Sequence, residues 1–223
     1  NNKHRSRRRS WRYSLMKKSK RAKKSRTWVI KQHRDQFFKK AKVLGYRSRA
    51  AFKLLELNKK FNFIKKNSNL LDIGSTPGGW SQIASKIIIN GKIIAVDITP
   101  MEKIKNVIFF KNDFLEKETQ SRIMDTFGTK IDVVISDMAE NTTGNKSVDS
   151  IRTNNLCGTV INFSLKTLNK KGTLICKLFM GEDFLEVKKL AKNYFKKVDF
   201  FKPESSRSES KETYIICSLL KTL

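Results

Sequence analysis

Asn69-Leu-Leu-Asp72-Ile-Gly74-Ser-Thr-Pro77-Gly78-Gly79-Trp80 is the stretch on which the fold turns. An apolar run ends in Asp-x-Gly, Pro77, Gly78 and Gly79 punctuate it, and Trp80–Ile89 reads as a helix. A strand, a tight turn and a helix therefore follow one another. The glycines let backbone approach a ligand closely, and the helix start offers free N–H groups. The string does not spell Gly-x-Gly-x-x-Gly, so a dinucleotide pyrophosphate fits poorly, and no Gly-Lys-Ser/Thr phosphate loop is present.

Working outward, Lys92–Ile98, Val107–Lys111, Ile131–Ser136 and Thr173–Phe179 are further short apolar runs. Helical patterns lie around Phe114–Phe127, Ile151–Leu168 and Phe184–Phe195. Such alternation implies crossover units and a mainly parallel sheet covered on both faces. Lys197–Lys202 and Thr213–Leu220 are separated only by the polar stretch Pro203–Lys211, too short for a crossover helix, so the last strand is expected to reverse. The fold class predicted is α/β: a doubly wound, mainly parallel, seven-stranded sheet with one reversed strand. Before it, Trp28–Lys60 carries apolar residues at helical spacing and predicts two short helices. The turn between them falls near Gly45–Ser48, with Ser48 as N-cap.

The 223 residues hold 48 Lys+Arg against 20 Asp+Glu, a formal net charge of +28, with 39% hydrophobic residues and 15 Phe to build a core. The surplus is uneven. Residues 1–60 hold 23 bases against only Asp35 and Glu56, whereas residues 61–223 hold 25 bases against 18 acids. Residues 1–26 carry 13 bases and no acid, interleaved with Trp11 and Tyr13. A like-charge block of that kind cannot bury a core and points to a polyanion partner. The organisation expected is a basic arm over 1–27, disordered until an anion binds, a helical segment over 28–60, and a catalytic domain over 61–223. No apolar run is long enough to span a bilayer and no secretory signal is apparent. Cys157, Cys176 and Cys217 read as buried thiols of a reducing, cytoplasmic compartment, and with His4 and His33 so isolated no metal is expected.

Ligands of open α/β sheets bind beyond the carboxyl ends of the strands, at a switch point. Three acids fall at such ends in succession: Asp72 in its turn, Asp97 where ribose hydroxyls would lie, and Asp113 placed to accept from an adenine amine. A ribose-binding acid without a phosphate loop suggests a nucleoside-like cofactor, and S-adenosylmethionine fits. The alternative for any one of them is a simple helix cap.

With these residues on the page the sequence resembles the FtsJ/RrmJ family of S-adenosylmethionine-dependent ribose 2′-O-methyltransferases. The matching strings are Tyr46-Arg-Ser-Arg-Ala-Ala-Phe-Lys53-Leu-Leu-Glu56, the run from Asp72, Ala95-Val-Asp97 before Pro100-Met101, Ile135-Ser-Asp137-Met-Ala, Cys176-Lys177-Leu-Phe, and Lys202-Pro-Glu-Ser-Ser-Arg207 with Glu212 beyond. Ser75-Thr76 and Glu140 depart from the family pattern, the latter where a Pro is usual. The resemblance implies that Gly78, Trp80, Asp97, Asp113 and Asp137 line the cofactor pocket, and that Lys53, Asp137, Lys177 and Glu212 form the reactive set. Independently, Lys177 inside an apolar run and Asp137 at the end of one are charges that need partners or a task. The candidate base is Lys177, its ammonium expected to be disfavoured by Lys53 and by burial, with Asp137 opposing. Cys176 should face away from Lys177 on its strand, so attack on a pyrimidine ring is not expected.

A ribose 2′-hydroxyl makes the partner RNA rather than DNA, and no membrane. Arg47, Arg49 and the bases of residues 1–40 are expected on phosphates, with Trp11 and Tyr13 as stacking platforms, while Trp28 is expected instead to pack the helical pair onto the domain. Thr27-Trp28 through Gly45 resembles the bacterial ribosomal branch, which implies ribosomal RNA of the large subunit or its precursor, a uridine in the 23S A-loop, and a monomer. A tRNA anticodon-loop enzyme and an inactive RNA-binding assembly factor are the alternatives. Deleting residues 1–26 is expected to weaken RNA binding and flatten its salt dependence; an unchanged slope of log affinity against log salt removes the arm from binding.

Overall fold

The computed structural model describes residues 35–139, 143–181 and 183–221, so the basic arm, Trp11, Tyr13, Trp28, both histidines and Glu140 lie outside the described residues. Thirteen elements follow in chain order: α1 (Gln36–Val43), α2 (Ala50–Phe61), β1 (Leu70–Ile73), α3 (Gly79–Ile87), β2 (Ile93–Asp97), β3 (Val107–Lys111), α4 (Lys117–Phe127), β4 (Ile131–Ser136), α5 (Lys146–Thr167), β5 (Leu168–Phe179), α6 (Phe184–Tyr194), β6 (Phe195–Phe201) and β7 (Glu212–Leu220).

The seven strands form one sheet in the order β3-β2-β1-β4-β5-β7-β6. Pairings from β3 through β5 are parallel, and β7 runs antiparallel to both β5 and β6, as the short polar connection before it dictates. β1 is buried at every position, Asp72 included, which is why its apolar residues do not alternate with solvent-facing ones.

Helices cover both faces. On one, α4, α5 and α6 bring Ile123, Val160, Ile161 and Val187 against Leu71, Val134, Leu174 and Ile215. On the other, Ala51, Leu54 and Leu57 of α2 and Trp80 and Ile83 of α3 pack on Leu70, Val133, Ile135, Ile175 and Tyr214. Helix α2 therefore shares the core of the sheet and positions whatever its inner face carries.

Local boundaries depart from the sequence reading where side chains compete for backbone. Helix α4 starts at Lys117, not Phe114, because the Asp113 carboxylate accepts the Leu115 N–H (2.9 Å) and holds the chain in a turn. Helix α5 starts earlier, at Lys146, because Asn145 caps it through the Ser147 and Val148 N–H groups. Ser48 does not cap α2: Arg49 occupies that position without a side-chain bond, and Ser48 Oγ has no hydrogen-bond partner. Asp35, unforeseen, caps α1.

Ser48 instead packs against Gly79, where an added Cβ would stand 2.3 Å from its Oγ. This contact sets how closely α2 approaches α3. Because the Ser48 Oγ has no hydrogen-bond partner and can rotate, Gly79→Ala is expected to cost about 1 kcal/mol, the low end of overpacking, read in urea unfolding; a loss of about 3 kcal/mol would show that the backbone has to move.

Candidate active site

Between the carboxyl ends of β1, β2, β3 and β4 lies a crevice of about 430 Å³ lined by Gly74, Asp97, Asp113, Asp137, Met138 and Leu156 among others. It sits at the switch point, where β1 is flanked by β2 on one side and β4 on the other. Gly74 has φ of +74°, and a Cβ there would come within 2.4 Å of Met138 Cγ, so the first turn and the segment after β4 close on each other only because this residue is glycine. Among the described residues the lining includes three carboxylates and no Lys, Arg or His. In a chain of net charge +28, that composition disfavours phosphate and suits a cationic or hydroxyl-bearing ligand.

Asp97 and Asp113 each do part of what a cap does. Asp97 accepts the Thr76 N–H at Oδ2 (2.9 Å) and the Thr99 N–H at Oδ1 (2.7 Å). Each carboxylate oxygen retains acceptor capacity toward the crevice. Gly78 and Trp80 are not among the lining residues. Gly78 starts α3 against Met101, Ile104 and Arg47, while Trp80 is buried, donates to the Ala50 carbonyl (2.8 Å) and stacks 5.6 Å from Tyr214.

Beside the crevice, Lys53, Asp137, Lys177 and Glu212 meet. Lys177 Nζ donates to the Asp137 backbone carbonyl (2.6 Å) and pairs with its Oδ1 (2.9 Å). Lys53 Nζ pairs with Glu212 Oε1 at 2.6 Å. Helix α2, the end of β4, β5 and β7 supply one charge each. Asp137 belongs to both the crevice and this cluster.

The residue that sequence reading missed is Tyr214. Fully buried, its hydroxyl donates to Asp137 Oδ1 (2.6 Å), lies 3.4 Å from Glu212 Oε1, and accepts from Lys53 Nζ at 3.3 Å. Its signal was present: it stands two residues after Glu212 on a strand, hence on the same face, and directly opposite Lys177 in the β5–β7 register. Cys176 faces the opposite side as expected, buried with Cys157 and Cys217 as free thiols. Among the described residues no cluster could hold a metal ion, and no helix is long and apolar enough to cross a membrane.

The electrostatics correct one expectation. Burial does press against the Lys177 ammonium, but the charges of Asp137 and Glu212 and the bond to Asp137 outweigh it, and its pKa is raised rather than lowered. Burial likewise opposes the Asp137 carboxylate, yet Lys177, Lys53 and the Tyr214 hydroxyl hold it below the usual range. The two arginines are also committed within the protein. Arg47 donates to the carbonyls of Pro77, Glu102 and Lys103, and Arg49 to Asp35 and the Ser205 carbonyl.

A seven-stranded sheet with one reversed strand, carrying an acidic crevice at its switch point, is a Rossmann-like architecture. Human Methyltransferase-like protein 13, solved with SAH, shares that fold at a TM-score of 0.55 and 16% identity, over 76% of this chain and 79% of that one. A family model described as FtsJ-like methyltransferase matches residues 46–219. Ribosomal RNA large subunit methyltransferase E of Pelagibacter ubique (strain HTCC1062) is 44% identical over 197 residues, 88% of this chain and 97% of that protein. The protein of the same name from Rickettsia akari (strain Hartford) is 44% identical over 203 residues, 88% and 89% of the two chains. A solved Plasmodium falciparum structure described as a ribosomal RNA methyltransferase superposes with a TM-score of 0.70 at 32% identity, over 78% of this chain and 98% of that one. The chain belongs to the FtsJ-like methyltransferase family.

Under the crevice, Asp72 Oδ2 accepts from Ser81 Oγ (2.6 Å) while Oδ1 has no partner. Burial pushes this carboxyl up to about 7, Ser81 opposing and Asp137 and Asp97 adding to the shift. The folded-state value lies above the unfolded one of about 3.9. The folded chain thus holds the proton more tightly between the two values, and stability falls as pH rises through that window. Asp72→Asn escapes this, so it is expected to gain stability over wild type from about pH 5 to about pH 8, by at most about 4 kcal/mol; parallel urea-unfolding curves at the two pH values would refute it.

Proposed function

We propose that this chain transfers a methyl group from S-adenosylmethionine to a ribose 2′-hydroxyl of large-subunit ribosomal RNA, at a uridine of the 23S A-loop. The observation that carries the reading is the convergence of Lys53, Asp137, Lys177 and Glu212 on one buried cluster at the mouth of an acidic crevice. The names of the Pelagibacter and Rickettsia relatives support ribosomal RNA over tRNA, and the complete charge set favours an enzyme over an inactive assembly factor. The chain would act as a monomer in the cytoplasm, where its substrate is assembled.

The crevice fits the donor chemically. S-adenosylmethionine, when bound, supplies a methyl group on a positively charged sulfur, and acids without bases suit that charge. Asp97 and Asp113 would hold its ribose hydroxyls and adenine amine, with Asp137 at the reacting end. Lys177 takes the proton of the attacking 2′-hydroxyl. Lys53, gripped by Glu212, faces the same phenol and fixes the polar frame around the ribose. Asp137 orients Lys177 through two of its oxygens and is itself oriented by Tyr214. Much of the rate comes from this alignment, since an in-line displacement tolerates little misplacement.

As a base Lys177 must be uncharged, and its raised pKa keeps it an ammonium at rest. A positive charge entering the crevice beside Asp137 disfavours that ammonium, which is the direction catalysis needs. Lys177→Ala is therefore expected to abolish transfer to large ribosomal subunits while donor affinity survives; near-normal single-turnover rates would sink the assignment. The wild-type rate should rise with pH through the neutral-to-alkaline range. Because Glu212 helps raise Lys177, Glu212→Gln should shift that rise to lower pH. Mapping the methylated nucleotide on subunits and on tRNA separates the two RNA classes.

A further inference from the structure

Arg49, Lys53 and Glu56 are spaced by four and then three residues, one stripe of α2. All three engage the connection between β6 and β7 or the strand it leads into. Lys53 pairs with Glu212 at the start of β7. Glu56 accepts two consecutive backbone N–H groups, from Glu204 at Oε2 (2.6 Å) and from Ser205 at Oε1 (3.1 Å). Arg49 donates to the Ser205 carbonyl and, with its other terminal nitrogen, to Asp35, the cap of α1. Inside the connection, Ser206 Oγ donates to Glu212 Oε1 at 2.9 Å, the same oxygen that Lys53 grips. Ser205 and Ser206 are both buried.

We infer that Ser206 is a positioning residue for methyl transfer, holding Glu212 in front of Lys53, and that Glu56 and Arg49 anchor the connection so that it can do so. The inference rests on the methyl-transfer reading above. A glutamate side chain has three rotatable bonds, and an ion pair alone tolerates several of its rotamers. The second donor removes that freedom, because the carboxylate must satisfy Lys53 from α2 and Ser206 from the connection at one oxygen. One helix supplies both the ammonium and the anchor of the hydroxyl, so the two donors move together. A merely structural clasp would close the helix pair on the sheet without needing Ser206 to reach Glu212.

The full chain with Ser206→Ala, assayed on large ribosomal subunits, is expected to lose about tenfold in kcat, the scale of one hydrogen bond to a charged group. KM for RNA and donor affinity should stay near wild type, while the melting temperature falls by no more than the few degrees that one hydrogen bond is worth. Ser206→Thr, which keeps the hydroxyl, should retain activity. In a Glu212→Gln background Ser206→Ala should cause no further loss, since the two act as one unit. Glu56→Ala should lower kcat and be non-additive with Ser206→Ala. Wild-type kcat in Ser206→Ala, or independent multiplying losses with Glu212→Gln, overturns the inference while wild-type methylation stands. Should wild type methylate no ribosomal RNA, the proposed function falls instead. The crystal structure of Ser206→Ala then decides the inference on its own: Glu212 swinging off Lys53 supports it, and an unmoved Glu212 refutes it.

Discussion

Two ammonium groups and two carboxylates withdrawn from water around one phenol set the terms for the rest of this fold. Each charge alone would be expensive to bury, by several kcal/mol even after relaxation. Lys53 with Glu212, and Lys177 with Asp137, cancel in pairs, and the Tyr214 hydroxyl links the pairs through Asp137. The four charges come from α2, the end of β4, β5 and β7, so the balance exists only when all four elements are docked. Removing one partner strands another in a low-dielectric site. Conformational specificity and, under the proposed function, chemistry therefore depend on the same contacts, and the reversed strand β7 is where they join: it brings Glu212 and Tyr214 to one face opposite Lys177.

The architecture was legible because burial writes itself into the sequence. Strands covered on both faces read as apolar runs, as residues 93–96 of β2 do, and a nine-residue polar connection after Lys202 cannot hold a crossover helix. Charges inside apolar runs were legible for the same reason. Tyr214 was not, because Thr213–Leu220 is apolar enough that a tyrosine there looks like core, which it also is: one side packs on Trp80 and its hydroxyl serves the charges. Helix starts at Lys117 and Lys146 were missed because Asp113 and Asn145 act through short backbone bonds that propensity does not register.

The sign of the Lys177 shift was misread for a different reason. Sequence order reveals which charges belong to a site but not their distances, and the balance among burial, Lys53 and two carboxylates is decided by distance. Lys177 has two carboxylates acting on it, with Asp137 in direct contact, so attraction exceeds desolvation. Distance also decides what Arg47 and Arg49 do within the protein: Arg47 ties the chain before α2 to the loop before β3, and Arg49 ties it to Asp35 and the β6–β7 connection.

The charge of the molecule thus divides by function rather than averaging out. The chain carries +28, most of it in residues 1–60, yet among the described residues the crevice holds no basic side chain and is lined by Asp97, Asp113 and Asp137. A polyanion drawn to the protein meets paired charges at the crevice mouth and unpaired carboxylates, Asp97 and Asp113, further in, where it is repelled. Its phosphates therefore have no place in the donor pocket, and under the proposed function only a neutral ribose hydroxyl can approach Lys177 and Asp137. Field strength alone would attract RNA anywhere on this surface; the acids decide how far in it can go.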